Sequence, residues 1–286
     1  MAEIEGLVRA LREGDDAAKT AAARGLGNLA AANAANRVLI AEAGGIPPLV
    51  ELLHDGSGAA KAWAASALCG LAYSTATNRV LIAEASGIPS LIDVLRDGIA
   101  DAKAASAAAL GNLACADANK VAIAEAGATP PLVDLLRDGD LQAKWNAARA
   151  LHNLACNNAA NKVAIAAAGG VPPLVELLRD WGTANKLEAA RALSSLADNN
   201  DANAVAIAAT IGLEAVVELA RGGRVTVDNH SVWISGVQSI VRNAGTAAKR
   251  KAALVVAALL RACVPEEVRS RADVQDVIRG VIGAYL

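Results

Sequence analysis

The feature that most constrains this chain is a segment that returns every 41 or 42 residues. Ile4-Glu5-Gly6-Leu7-Val8 comes back as Ile46-Pro47-Pro48-Leu49-Val50, then from Ile88, Thr129, Val171 and, in weaker form, Leu213. A fixed period of this length marks a stacked solenoid, in which each unit buries its apolar face against its neighbours rather than in one central core. The 286 residues would suffice for two ordinary domains, but the uninterrupted period argues for one elongated array. In such an array function lies on a repeated surface.

Alanine fills about a quarter of the chain, aromatic residues only 2%, and there is no Phe. Alanine is the strongest helix former, and its small side chain lets helices approach closely. Strand formers are not organised in alternating runs, so the chain reads as all-α. The formal net charge of −2 leaves no electrostatic footprint for nucleic acid. Uncharged stretches are broken by Pro or Gly, as in Val163 to Val175, and Ala252 to Leu260 is too short to span a bilayer. No membrane insertion is therefore expected, and Glu3 and Glu5 argue against a secretory leader. Cys69, Cys115, Cys156 and Cys263 are too widely spaced for a disulfide framework or a zinc motif. They read as small residues of buried helices, in keeping with an intracellular setting, cytoplasmic or nuclear.

One unit, from Asn36 to Thr77, reads as three helices. Asn36 suits the N-cap of a short first helix through Ala43, which Gly44-Gly45 stops. Pro47-Pro48 opens a second helix, because a first turn has N–H groups without acceptors anyway. Leu49, Val50, Leu52 and Leu53 give it an apolar stripe, and Asp55-Gly56 ends it. A longer third helix is expected from about Gly58 to Ser74. Seven of the eight prolines fall at the start of a second helix.

Gly44-Gly45-Ile46-Pro47-Pro48-Leu49-Val50-Glu51-Leu52-Leu53 and Ala109-Leu110-Gly111-Asn112-Leu113-Ala114, with their recurrences, resemble the armadillo repeat family. The resemblance covers about residues 4–243. It implies a right-handed α-solenoid of three-helix repeats, one domain over residues 1–286. The expected units are a partial repeat at 1–32, repeats at about 33–75, 76–116, 117–158 and 159–200, and a degenerate repeat with a cap at 201–286. Val232 to Asn243 aligns with a third helix; Ala247 to Ala262 and Asp273 to Ile282 read as closing helices.

The resemblance also implies a concave groove lined by third helices. In members that bind extended peptides, of the importin α and β-catenin type, an Asn ladder on these helices grips the peptide backbone. The ladder position here holds Asn28, Gly70, Asn112, Asn153 and Ser195. A carboxamide offers donor and acceptor together, so it pairs with a peptide N–H and C=O. The other reading gives these residues local helix or inter-repeat bonds. Four and seven residues earlier on the same face stand Arg24, Ser66, Arg149 and Arg191, then Trp63, Asn146 and Glu188. The family's tryptophan slots for basic side chains are missing four residues before the ladder. Arg24, Arg149 and Arg191 point instead to an acidic ligand, unless each pairs with an acid such as Glu188. Trp63 reads equally as a ligand anchor or as filling between repeats. Lys19, Lys61, Lys103, Lys144 and Lys186 recur half a turn away and are expected to lie along the repeat edge, away from the groove.

No catalytic constellation, metal motif or cofactor loop is present, and His54, His152 and His230 fall in unrelated repeat positions. The reading is a non-enzymatic module for peptides or partner proteins, needing no cofactor. It is read as a monomer, with end-to-end self-association as the alternative state. The alternative function is a structural scaffold or adaptor, or the recognition part of a larger protein such as a ubiquitin ligase. Fold alone does not choose between them.

Overall fold

The structure is a computed structural model that describes residues 1–178, 183–207 and 209–210. The chain divides into two compact units, Met1–Leu154 and Ala155–Leu286. Among the described residues every regular element is a helix. The first unit opens with α1 (Ala2–Glu13) and α2 (Asp16–Ala32). Three triplets follow: α3 (Ala34–Glu42), α4 (Ile46–Asp55) and α5 (Gly58–Ala72); α6 (Ala76–Glu84), α7 (Gly87–Asp97) and α8 (Ala100–Leu113); α9 (Asp117–Glu125), α10 (Thr129–Asp138) and α11 (Leu141–Ala155). The second unit holds α12 (Ala159–Ala167), α13 (Val171–Leu177) and α14 (Thr183–Ala197), then helical residues 201–207. The expected degenerate repeat from Leu213, the closing helices, His230 and Cys263 lie outside the described residues.

Local chemistry sets the boundaries. Proline stands in the first turn of α4, α10 and α13, as the sequence predicts. The turn before each second helix passes through a left-handed residue, Gly44, Gly127 or Gly169, and Ser86 takes the same slot at φ 61°. The turn after each second helix needs glycine for lack of space: a Cβ on Gly56, Gly98 or Gly139 would lie 2.5–2.6 Å from a carbonyl oxygen of the preceding turn. The same glycines donate their N–H groups to those oxygens, of Leu52, Val94 and Leu135, and so close the helix. The first helix starts differently from the expectation. Its N-cap is Asn33, whose side chain accepts from the Asn36 N–H at 2.8 Å, not Asn36 itself.

The second helices bury their stripes, with Leu49, Leu53, Leu91, Leu95, Leu132 and Leu136 at 2% exposure or less. The third helices α2, α5 and α8 pack side by side. Their meeting surfaces are alanine and glycine, so backbones come close. A Cβ on Gly27 would lie 3.5 Å from the Cα of Ala67, and one on Gly111 would lie 3.3 Å from the Cα of Ala150 in α11. Packing this tight relies on dispersion over many small contacts rather than on a few large side chains.

The asparagine near the start of each first helix is a clamp. Asn78 Nδ2 donates to Leu71 O and to Arg37 O, both at 3.0 Å. Asn119 does the same for Leu113 O at 3.2 Å and Arg79 O at 3.3 Å, and in the second unit Asn203 for Leu196 O at 3.1 Å and Lys162 O at 3.0 Å. One acceptor is an orphan carbonyl at the end of the unit's preceding third helix, and the other belongs to the previous first helix. Asn36 reaches Leu29 O at 2.8 Å. Asn78 is buried, so Asn78→Ala strands two carbonyls and is expected to cost about 1–3 kcal/mol. Asn36→Ala, at a half-buried position, is expected to cost clearly less, as urea melts of the two variants read by circular dichroism will check.

Candidate functional site

The third-helix row separates into an open end and a closed middle. At the open end Arg24 and Asn28 on α2 and Trp63 and Ser66 on α5 are all exposed. Trp63 keeps 37% of its surface exposed, and the Arg24 guanidinium lies 5.9 Å from its ring centroid, a cation–π pair. Among the described residues no acid forms an ion pair with Arg24, and no hydrogen bond engages the Asn28 amide. The interruption of the ladder at Gly70 has a packing reason: a Cβ there would stand 3.2 Å from the Ala30 Cβ.

In the middle of the first unit the amides are already used. Asn112 is buried and its Nδ2 donates to Cys69 O at 2.9 Å, while its Oδ1 accepts from Arg149 Nη2 at 2.9 Å. Asn146 is buried and donates to Ala104 O at 2.9 Å. Asn153, half-buried, donates to Gly111 O at 2.7 Å. Each of these acceptors lies on the previous third helix. Arg149 also reaches Ala108 O at 3.4 Å and stacks on Trp145, 4.9 Å from the ring centroid, while its Nε is buried without a partner. Burial pushes the Cys69 thiol pKa up, and the nearby Arg149 offsets this in part. In the second unit Arg191 Nη1 meets Glu188 Oε1 at 2.8 Å; Glu188 is buried, and its Oε2 has no hydrogen-bond partner. Ser195 is half-buried.

Trp145 escaped the sequence reading. It stands eight residues before Asn153, off the ladder's face. Its signal is the four-residue step to Arg149, which on a helix places a cation beside an aromatic ring. Two of the recurrent lysines, Lys19 and Lys103, line clefts between successive second helices. Lys19 faces a cavity of about 190 Å³ with Asp16, Glu51 and Asp55, and Lys103 one of about 290 Å³ with Asp134, Asp138 and Asp140. His54 contacts Ser90, Nε2 to Oγ at 2.7 Å. That pair is not a nucleophile and base: Ser90 is 1% exposed and its hydroxyl donates to Ser86 O at 2.9 Å.

The open and closed positions differ in what truncation removes. Asn112→Ala is expected to cost about 1–2 kcal/mol of stability, because it removes the Cys69 O bond and the shorter of the Arg149 Nη2 hydrogen bonds. Asn28→Ala is expected to stay within about 0.5 kcal/mol, as exposed substitutions do. Thermal denaturation of both variants separates the two cases. Thiol labelling followed by mass spectrometry is expected to modify exposed Cys115 in the native chain well before half-buried Cys69, whose thiol pKa is raised by burial.

The family model for the armadillo/β-catenin-like repeat matches residues 116–156 and 158–198. A search of curated proteins finds no match. Among solved structures, an engineered protein is 31% identical, with 85% of this chain and 98% of that chain covered and a TM-score of 0.73. Computationally designed armadillo repeat proteins for modular peptide recognition match at 25% identity over 85% of this chain and 100% of that one, with a TM-score of 0.72. A designed armadillo repeat protein in complex with the peptide (KR)4 also matches at 25% identity and a TM-score of 0.72, over 85% of this chain and 99% of that one.

Proposed function

We propose that this chain, which belongs to the armadillo repeat family, is a non-enzymatic protein–protein interaction module whose third helices hold an extended segment of a partner protein. The observation that carries this reading is the open end of the row. Arg24, Asn28, Trp63 and Ser66 stand exposed together on two adjacent helices, with a cation, an amide, a hydroxyl and an aromatic face directed to one side. An exposed tryptophan stacked with an arginine that has no ion pair among the described residues is the composition of a binding hot spot. The amide supplies main-chain pairing and the other three supply side-chain preference.

The charge of the ligand follows from the arginines. Among the described residues Arg24 has no acidic partner, so its preferred ligand group is a carboxylate, bound as a charge-assisted hydrogen bond. Arg149 is largely committed to Asn112 and Trp145, and Arg191 to Glu188. Arg24 therefore leads the preference for acidic segments. The designed relative with its (KR)4 peptide has a basic ligand, and the two would be opposite in charge on a shared scaffold. Cys69 and Cys115 are free thiols, which supports an intracellular setting.

The scaffold reading has one observation in its favour: Asn112, Asn146 and Asn153 spend their amide donors on neighbouring repeats. A random-peptide display selection on the purified chain decides between the two. Acidic peptides are expected to be enriched and to lose about tenfold or more in affinity, ~1.4 kcal/mol, on Arg24→Ala, Trp63→Ala. Circular dichroism of that variant is expected to match the wild type. No enrichment, or hits indifferent to these two residues, would favour the scaffold.

A further inference from the structure

The first helices carry a second repeated surface, away from the third-helix row. On α3, α6 and α9 the same outward position holds Val38, Val80 and Val121, which are 45%, 51% and 47% exposed. One turn further along each helix stands an exposed glutamate: Glu42, Glu84 and Glu125. Residues four apart share a helix face, so each helix presents one valine and one glutamate side by side. The second unit repeats the valine at Val163, 57% exposed on α12.

The three helices lie next to one another. Asn78 of α6 bonds to Arg37 O of α3, and Asn119 of α9 bonds to Arg79 O of α6. The valines therefore form one row and the glutamates a parallel one. Valine is a poorer helix former than the alanine used throughout this chain, so three exposed valines in register weaken the helices that carry them. Isolated apolar residues on a surface need no explanation, whereas a row in register does.

No cation of these helices neutralises the glutamates. Arg37 turns inward to Ala30 O at 2.8 Å and lies over the Tyr73 ring, Arg79 bonds to Ala72 O at 3.0 Å, and Lys120 pairs with Asp117 at 2.7 Å. Among the described residues Glu42, Glu84 and Glu125 have no ion-pair partner.

We propose that this face docks a basic amphipathic α-helix of a partner protein, laid across α3, α6 and α9. The spacing supports a helix. Packed helix axes stand about 8–10 Å apart, and seven residues of a partner helix advance about 10.5 Å. A helix with apolar residues seven apart meets Val38, Val80 and Val121 in turn. Lys or Arg at the same spacing beside them meets Glu42, Glu84 and Glu125. The surface thus reads a heptad pattern by charge and shape, independently of any peptide bound on the third helices.

The test uses a synthetic helical probe of three heptads, with Leu at three positions seven apart and Lys beside each. Two controls accompany it: the same composition with the spacing broken, and Glu in place of Lys. Binding to the full chain is read by fluorescence anisotropy. The heptad Lys probe is expected to bind, to weaken with salt, and to lose tenfold or more on Val38→Ser, Val80→Ser, Val121→Ser and on Glu42→Gln, Glu84→Gln, Glu125→Gln. Glu42→Lys, Glu84→Lys, Glu125→Lys is expected to switch preference to the Glu probe, which mere unfolding would not do. Arg24→Ala, Trp63→Ala is expected to leave binding unchanged. Failure of the Lys probe to bind the wild-type chain would overturn the proposal. So would equal binding of the broken-spacing control, or sensitivity only to Arg24→Ala, Trp63→Ala.

Discussion

The stacking of this chain depends on a carboxamide shared between two helices. Asn78, Asn119 and Asn203 each use both amide donors on main-chain carbonyls, one at the end of a third helix and one on the preceding first helix. A buried side chain with two acceptors on different helices favours one register, since a slip leaves two donors and two carbonyls unpaired away from water. Hydrophobic burial drives the helices together without direction, and the asparagines supply the direction. Glycine and alanine then let the third helices approach until their backbones nearly touch.

That close approach also decides which third-helix amides remain for a ligand. Where two third helices meet at Gly111 and Ala150, the amide of Asn153 reaches the Gly111 carbonyl before it reaches solvent. The same holds for Asn112 and Cys69 O. Asn28 on α2 is exposed, and among the described residues no third-helix carbonyl takes its amide. The side chains of α2 and α5 proposed to meet a ligand ride on helices whose own positions are set by other residues.

Much of the fold was legible because its signals are local. A proline pair at a helix start, a glycine after an aspartate at its end and a stripe of leucines follow from single-helix chemistry. The start of the first helix was misplaced by three residues because Asn33 and Asn36 are both good caps, and only geometry shows which amide faces outward. The positions proposed for the ladder were legible only through the family resemblance, carried from unit to unit by the repeat period. Their availability was not, because the partner of an Asn112 or Asn146 amide sits some forty residues away in sequence. Trp145 was passed over for the related reason that its role depends on Arg149 folding back over the ring. Of the two readings of the arginines, Arg191 took the ion pair with Glu188, while Arg24 took the ring of Trp63.

The central claim is that a partner segment lies against Trp63 and Arg24 at the open end of the third-helix row. Hydroxyl-radical footprinting of the chain, free and with a selected acidic peptide, tests it most directly. Trp63 oxidation, read by mass spectrometry, should be strong in the free chain and suppressed in the complex, with Trp145 much less changed. Unchanged Trp63 oxidation while the peptide remains bound would contradict the account.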